Sequence, residues 1–176
     1  MMQLQDKREK KDRGRSSAYF GMLLALSLIF SYLETLIPIS FGIPGIKLGL
    51  ANVVTVIVLY YWGVREALVL AVLRNLLSGF LFGNLFAIFY SIAGSLASVF
   101  VMNLLKKRKN FSVTGVSIAG GVFHNIGQLI VAMLVVESFS ISYYVPVLLI
   151  AGVLTGALIG VITQNLQRYL KKGRIR

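Results

Sequence analysis

The chain lacks the residues on which many catalytic and metal sites depend. Among its 176 residues there is no cysteine, and histidine occurs once, as His124. The absence of cysteine excludes disulfides, thiolate metal sites and cysteine nucleophiles. A single histidine excludes a multi-histidine metal centre, and no acidic residue lies near His124 in the sequence to complete a catalytic triad.

Phosphate chemistry also lacks its usual motifs. No GxxxxGK[ST] segment occurs, so the chain has no P-loop with which to hydrolyse ATP. Aspartate occurs only as Asp6 and Asp12, so the paired acidic motifs that hold Mg²⁺ on a diphosphate are missing. The sequence therefore predicts a protein that is not an enzyme and that binds no cofactor or metal.

Apolar residues dominate the chain instead. It is 57% hydrophobic and 14% charged, with a mean hydropathy of +0.80, whereas a soluble domain carries about a quarter charged residues. Six apolar stretches predict an all-α integral membrane protein with six transmembrane helices. They cover residues 17–37, 48–62, 64–80, 84–105, 113–136 and 143–167. The second and third are short for a span, which predicts bilayer thinning or shelter behind neighbouring helices.

Basic residues are distributed unevenly between the connections. Sixteen of the eighteen Lys and Arg residues lie in the two tails and in alternate loops. Because basic residues in short loops stay on the cytoplasmic side, both termini are predicted to be cytoplasmic. The chain then divides into a basic tail over 1–16, a six-helix transmembrane domain over 17–168 and a second basic tail over 169–176. The net charge of +12 lies in clusters beside the spans, which favours anionic lipids over nucleic acid as partners in a bacterial plasma membrane.

Small residues recur at four-residue spacing in three of the predicted spans. Such faces let two helix backbones approach closely. They can pack inside the bundle, or, in the first span in particular, they can dock another membrane protein. The three faces are Ser17, Gly21 and Ala25; Gly94 and Ser98; and Gly152, Gly156 and Gly160.

Polar residues inside the predicted spans are candidates for a binding site, because ionisable groups are costly in a membrane. At 1.5 Å per residue, those on spans one, two, three and five fall at overlapping depths. They can line a cavity open to the outside; alternatively, Glu34 and Arg74 form an interhelical ion pair and the others hold helices together. The candidates are Glu34, Asn52, Arg74, Asn75, His124, Asn125 and Gln128, with Lys47 above them in a gating loop that also contains Gly42, Pro44 and Gly45.

Three segments carry a family resemblance. The stretches FGIPGIKLGLANVVTV, LRNLLSGFLFG and GGVFHNIGQL resemble the heptaprenyl diphosphate synthase component I family, also called the Gx transporter family. That family is similar to the substrate-binding S-components of energy-coupling-factor transporters. The resemblance implies six helices with cytoplasmic termini, a pocket beneath the loop after span one, and a first helix whose small residues dock a transmembrane coupling subunit. Ser17, Gly21 and Ala25 occupy that docking position.

The predicted function follows from topology and resemblance together. We expect a substrate-binding subunit that takes up a small solute, with a coupling subunit and ATPases supplied by separate chains. Arg74 would contact an anionic group, and His124, Asn125 and Gln128 would hydrogen-bond the solute. Two alternatives are an accessory membrane subunit of polyprenyl diphosphate or quinone synthesis, and a membrane component of a flavin- or quinone-linked electron-transfer system. The sequence leaves the identity of the solute open.

Overall fold

The computed structural model describes residues 2–36, 49–108 and 110–173, and within these ranges the chain is all-helical. Six α-helices and one short 3₁₀ helix occur there, without a β-strand, so the predicted all-α class is confirmed. The helices are α1 Met2–Leu36, α2 Leu50–Tyr61, α3 Val64–Phe82, α4 Leu85–Lys106, α5 Val113–Val136 and α6 Val145–Gly173, with the 3₁₀ helix at Phe139–Tyr144.

Four helical stretches are long and apolar enough to cross a membrane. They are Ser17–Leu36, Leu85–Lys106, Val113–Val136 and Ile141–Tyr169. Helix α2 is apolar but has only 12 residues, about 18 Å of helix against a hydrocarbon core of about 30 Å. Helix α3 has 19 residues and carries three charged side chains, Arg65, Glu66 and Arg74. The six-span topology therefore stays a prediction.

Helix α2 forms the centre of the core. A helix that is apolar on every side is buried in a protein core or surrounded by lipid, and here the core is shown, because Val54, Val56, Val58 and Leu59 are each at most 1% exposed. The other helices supply apolar side chains around them, namely Ala67, Leu70, Val99, Met102, Val116 and Ile159. Shelter behind neighbouring helices, expected for this short segment, is what the structure shows.

The start of α1 differs from the sequence-based boundary, and the predicted gating loop lies outside the described residues. Helix α1 begins at Met2 and runs without a break into the apolar stretch, so the basic tail expected over 1–16 is helical from its second residue. The proposed gating residues Gly42, Pro44 and Gly45, together with Lys47, fall outside the described residues.

Contacts between helix ends bring the basic segments to one end of the bundle. The Phe20 ring stacks on Trp62 with centroids 6.1 Å apart. At the end of α4, the Lys106 ammonium donates to the Leu59 carbonyl at 2.6 Å and lies over the Tyr60 ring. Arg65, close to Trp62 in sequence, and Lys106 to Arg108 therefore lie at this end, which we call the basic end. Arg168 of α6 joins them, because Gln164, one turn before it, accepts a hydrogen bond from Thr114 at the start of α5 at 3.2 Å.

Glycines bring α6 and α4 against α5 without intervening side chains. A Cβ added at Gly156 would lie 2.7 Å from Ile118 Cα, and one at Gly160 would lie 2.6 Å from Thr114 Cα. On the other side of α5, a Cβ at Gly94 would lie 2.7 Å from the His124 carbonyl oxygen. The small-residue faces of spans four and six thus pack inside the bundle, as one of the two readings expected. We call the contact between α5 and α6 the glycine seam.

Candidate functional site

A polar cavity of about 90 Å³ lies between the helices, away from the basic end. This volume has room for several water molecules or a small polar solute. All six α-helices contribute to its wall, so the site exists only in the assembled bundle. The lining comprises Ser31, Glu34, Thr35, Gly49, Asn52, Arg74, Asn75, Ser78, Gly79, Phe82, Gly83, Ala87, Ser91, Gly121, His124, Asn125, Gln128, Thr155 and Ile159.

The structure brings seven of the eight predicted site residues to this one cavity. Glu34, Asn52, Arg74, Asn75, His124, Asn125 and Gln128 all line it. The eighth, Lys47, lies outside the described residues. The grouping follows from helix depth, because residues on neighbouring antiparallel helices meet only when they lie at the same height. Their role in binding a solute remains a prediction.

Arg74 is the central charged group of the site. It is 5% exposed, and its guanidinium is held by neutral acceptors from two helices besides its own. One terminal nitrogen donates to Asn52 Oδ1 at 2.9 Å; the other donates to Asn75 Oδ1 at 3.1 Å and to Ser95 Oγ at 3.4 Å. A planar guanidinium can serve several acceptors at fixed angles, so these bonds set its orientation as well as its position.

Asn75 is itself fixed by the neighbouring helix α4. Its amide nitrogen donates to the Ser91 carbonyl at 2.9 Å and to Ser95 Oγ at 2.8 Å. An amide has one donor end and one acceptor end, and this contact turns the oxygen of Asn75 towards Arg74. Ser95 thereby positions Arg74 both directly and through Asn75.

Glu34 links the end of α1 to the start of α2. Its carboxylate accepts a hydrogen bond from the backbone N–H of Leu50, the first residue of α2. Gly49, the residue before Leu50, has φ 74°, a left-handed conformation that glycine adopts readily. Glu34 also interacts electrostatically with Arg74. The ion pair expected between the two residues stays a prediction, and the hydrogen bonds of the guanidinium given above go to amide and hydroxyl oxygens.

Helix α5 supplies the opposite wall. Asn125 donates from its amide nitrogen to the Leu148 carbonyl at 2.7 Å, which ties α5 to α6 and leaves its side-chain oxygen as an acceptor. His124 and Gln128 are one turn apart and share a face. Both lie against Gly94 of α4, where an added Cβ would come within 3.1 Å of the His124 ring and 2.8 Å of Gln128 Cγ.

Several hydroxyl residues of the site were not predicted from the sequence. Ser31, Ser78, Ser91 and Thr155 line the cavity, and Ser95 lies behind it. Serine and threonine are common in membrane helices as small packing residues, so their presence alone carries little signal. The spacing of Ser91 and Ser95, one turn apart at the depth of Arg74, is the pattern that could have indicated them.

The donors and acceptors of the wall suit binding more than covalent chemistry. The cavity offers one guanidinium, one carboxylate, an imidazole, amides and hydroxyls. Among the described residues, no group of three or more His, Asp or Glu side chains comes together as a metal site. A polar solute carrying an anionic group has complementary partners here.

The predicted docking face on α1 is open. Ser17, Gly21 and Ala25 are exposed, and a Cβ added at Gly21 would meet nothing within 4 Å. Of the three small-residue faces, this is the one that the bundle leaves uncovered.

Comparison with known proteins identifies a family. The family described as heptaprenyl diphosphate synthase component I matches residues 23–166, a range that includes every residue of the cavity wall named above. No curated protein and no solved structure matches the chain.

Proposed function

The chain belongs to the heptaprenyl diphosphate synthase component I family, and from this membership and the cavity we propose that it is a membrane subunit that binds a small polar solute for uptake. The observation that carries the proposal is the buried Arg74, presented at a cavity to which all six helices contribute. A buried cation inside a helical membrane bundle is a candidate for a functional site by default, and a substrate pathway is one of its usual roles. Arg74 contacts the anionic group of the solute, and His124, Asn125 and Gln128 hydrogen-bond the remainder.

The orientation in the membrane follows from the charges. The basic end faces the cytoplasm, because Lys and Arg in short connections are retained there. All six helices then cross the membrane, and both termini are cytoplasmic. The cavity, which lies away from the basic end, opens to the outer side.

Energy for uptake comes from other chains. The exposed face of Ser17, Gly21 and Ala25 on α1 is suited to close contact with a helix of a transmembrane coupling subunit. ATPases bound to that subunit supply the hydrolysis for which this chain has no P-loop. This arrangement is the one that similarity to S-components implies.

Native mass spectrometry of the purified protein tests the binding role. We expect a small anionic molecule to co-purify with the wild-type chain and to be lost from Arg74→Gln, while the exposed control Arg65→Gln retains it. A molecule retained equally by both variants would remove Arg74 from the site. Absence of any small molecule, combined with no uptake of solutes by proteoliposomes containing the partner subunits, would refute the proposal.

A second function is favoured by the family description itself. The words "heptaprenyl diphosphate synthase component I" describe one part of a multicomponent enzyme. In that case the chain is an accessory membrane subunit, and its basic end binds a soluble synthase partner. Affinity purification separates the two functions: a soluble synthase recovered in fixed proportion favours the accessory role, whereas a coupling subunit and ATPases favour transport. Charge reversal at Lys107 and Arg108 should release the synthase only if the chain is an accessory subunit.

A further inference from the structure

The start of α2 is an anion-binding position that is already filled. The first turn of a helix has backbone N–H groups without intrahelical acceptors, and the helix dipole makes this end attractive to negative charge. In this structure, the Glu34 carboxylate accepts from the Leu50 N–H at that end. Helix α2 has 12 residues, and its first turn, with Gly49 and Asn52, lines the cavity.

A second group makes the same position favourable for an anion. Arg74 is 5% exposed, lines the same cavity and interacts electrostatically with Glu34. Its terminal nitrogens bond to uncharged acceptors, and within the described part of the chain its Nε–H has no acceptor. A buried guanidinium whose hydrogen bonds go to neutral acceptors retains its full charge, and a nearby carboxylate such as that of Glu34 stabilises it. The helix end and Arg74 thus form one positive region.

We propose that the start of α2 and Arg74 form a carboxylate subsite, which Glu34 fills in this structure and which the carboxylate of the solute takes over. The inference rests on the proposed solute-binding function and assigns the chemical class of the ligand. One guanidinium and one helix end supply about one and a half positive charges, which suits the single charge of a monocarboxylate better than the two or more charges of a diphosphate.

Glu34 has to withdraw when the solute arrives. Two carboxylates at one point repel each other strongly in a site shielded from water. Glu34 is carried by α1, whose spanning stretch is the least buried of the four long apolar ones. Movement of the C-terminal end of α1 removes Glu34 from α2, while Phe20, Leu23 and Leu24, nearer its other end, can stay packed against the core. Solute binding and displacement of α1 become one event, since the same position cannot hold both carboxylates.

Chemical rescue tests the subsite without knowledge of the natural solute. Glu34→Ala removes the resident carboxylate, and acetate supplies a free one of matching size. In detergent, with the fluorescence of the single tryptophan, Trp62, as readout, we expect a saturable rise of several degrees in the melting temperature of Glu34→Ala with acetate over an equal concentration of chloride. Glu34→Gln, whose amide still fills the position, and Ser31→Ala should show no such rise. Arg74→Gln in the Glu34→Ala background should abolish it.

The outcomes separate this inference from the proposed function. Glu34→Ala that is monodisperse only in acetate also supports the subsite, and Glu34→Gly with propionate repeats the test for the whole missing side chain. Failure of both variants to respond, or to fold in either salt, overturns the subsite, because an added carboxylate then cannot replace the lost one. Rescue by acetate without any uptake by the wild type leaves the subsite standing and removes the transport role. Solute binding by the wild type without rescue by acetate removes the subsite and leaves the transport role standing.

Discussion

At the scale of single residues, Arg74 depends on the shape of its guanidinium as much as on its charge. Its two terminal nitrogens reach Asn52 on α2 and Asn75 on α3, and one of them reaches Ser95 on α4. An ammonium is a point charge that cannot serve these acceptors in the same fixed plane. Substitutions that retain the charge should therefore still impair the site.

Arg74→Lys is expected to weaken solute binding by tenfold or more and to lower the melting temperature. The lost hydrogen bonds are each worth about 1 kcal/mol or more in a buried setting. Isothermal titration or equilibrium dialysis with the co-purified solute measures the affinity. Arg65→Lys, on the exposed start of the same helix, is the matched control and should change neither quantity. Equal affinity of Arg74→Lys and the wild type would contradict the role given to the guanidinium.

The electrostatic coupling between Glu34 and Arg74 gives a second prediction. Arg74→Gln leaves the Glu34 charge without its compensating cation, and breaking a buried charge pair costs roughly 3–5 kcal/mol. Because Glu34 is only partly buried, the loss should fall at or below the lower bound. Adding Glu34→Gln should restore much of the stability, as denaturant unfolding can measure. If the double variant also recovers solute affinity, Arg74 acts in folding alone.

Charged residues were predictable from the sequence at this scale, and hydroxyl residues were not. Glu34 and Arg74 stand out because an ionisable side chain in an apolar helix needs a reason. Ser91 and Ser95 do not, because the same residues serve as ordinary packing in membrane helices. Their part in fixing Asn75 and Arg74 becomes visible only from the distances between helices.

At the scale of helices, small residues at the same spacing lie in different surroundings. Gly152, Gly156 and Gly160 of α6 are in backbone contact with α5, whereas Gly21 of α1 faces open space. The sequence predicted close approach in each case but could not name the partner, since spacing describes one surface of a contact only. Helix limits were easier, because α5 begins where the Ser112 hydroxyl accepts from the Gly115 N–H at 3.0 Å.

The two kinds of glycine should respond differently to an added methyl group. Gly156→Ala places a Cβ 2.7 Å from the backbone atoms of Ser117 and Ile118, and overpacking of this kind costs about 1–3 kcal/mol. Gly21→Ala has free space and favours the helix, so stability should be unchanged or slightly higher. Unfolding in mixed micelles of increasing SDS content measures both. Equal destabilisation would show that the α1 face is also packed.

Partner capture distinguishes the α1 face further. Gly21→Leu should leave folding and solute binding intact, because nothing lies within 4 Å of the added Cβ. A bulky side chain there separates α1 from a docked helix, so recovery of the coupling subunit in a pull-down should fall. The exposed control Ile29→Leu should not affect recovery. Undiminished capture by Gly21→Leu would exclude this face as the docking surface.

At the scale of the whole molecule, the sequence placed Arg65 and the basic segment after α4 on one side of the membrane, and the described helices bring these two segments to the same end of the bundle; the membrane side that they face stays a prediction. The contact between Lys106 and Leu59 joins segments 47 positions apart in sequence, and sequence alone indicated their proximity through topology. The number of spans was less accessible, because α2 is shorter than a bilayer and its apolar residues are explained equally well by burial in the core.

Cysteine labelling tests the six-span topology directly. The chain contains no cysteine of its own, so single cysteines at Arg65, Arg108 and Ser142 report without background. An impermeant thiol reagent should reach Arg65→Cys and Arg108→Cys from the cytoplasmic side and Ser142→Cys from the outer side. If α2 and α3 stop within the membrane, Arg65→Cys stays unlabelled from the cytoplasm while the other two behave as before. Labelling of all three from one side would refute the membrane topology altogether.

The glycine seam bears on which helices of the bundle can shift relative to one another. Helices separated by side chains can slide by exchanging rotamers, but α5 and α6 touch through backbone atoms at Gly121, Gly152 and Gly156 and have no such layer. We expect α5 and α6 to move as one rigid unit, together with α4, which lies close to α5 at Gly94 and Gly127. The displacement of Glu34 proposed above would then take place at α1, against the closely packed wall that α4, α5 and α6 form.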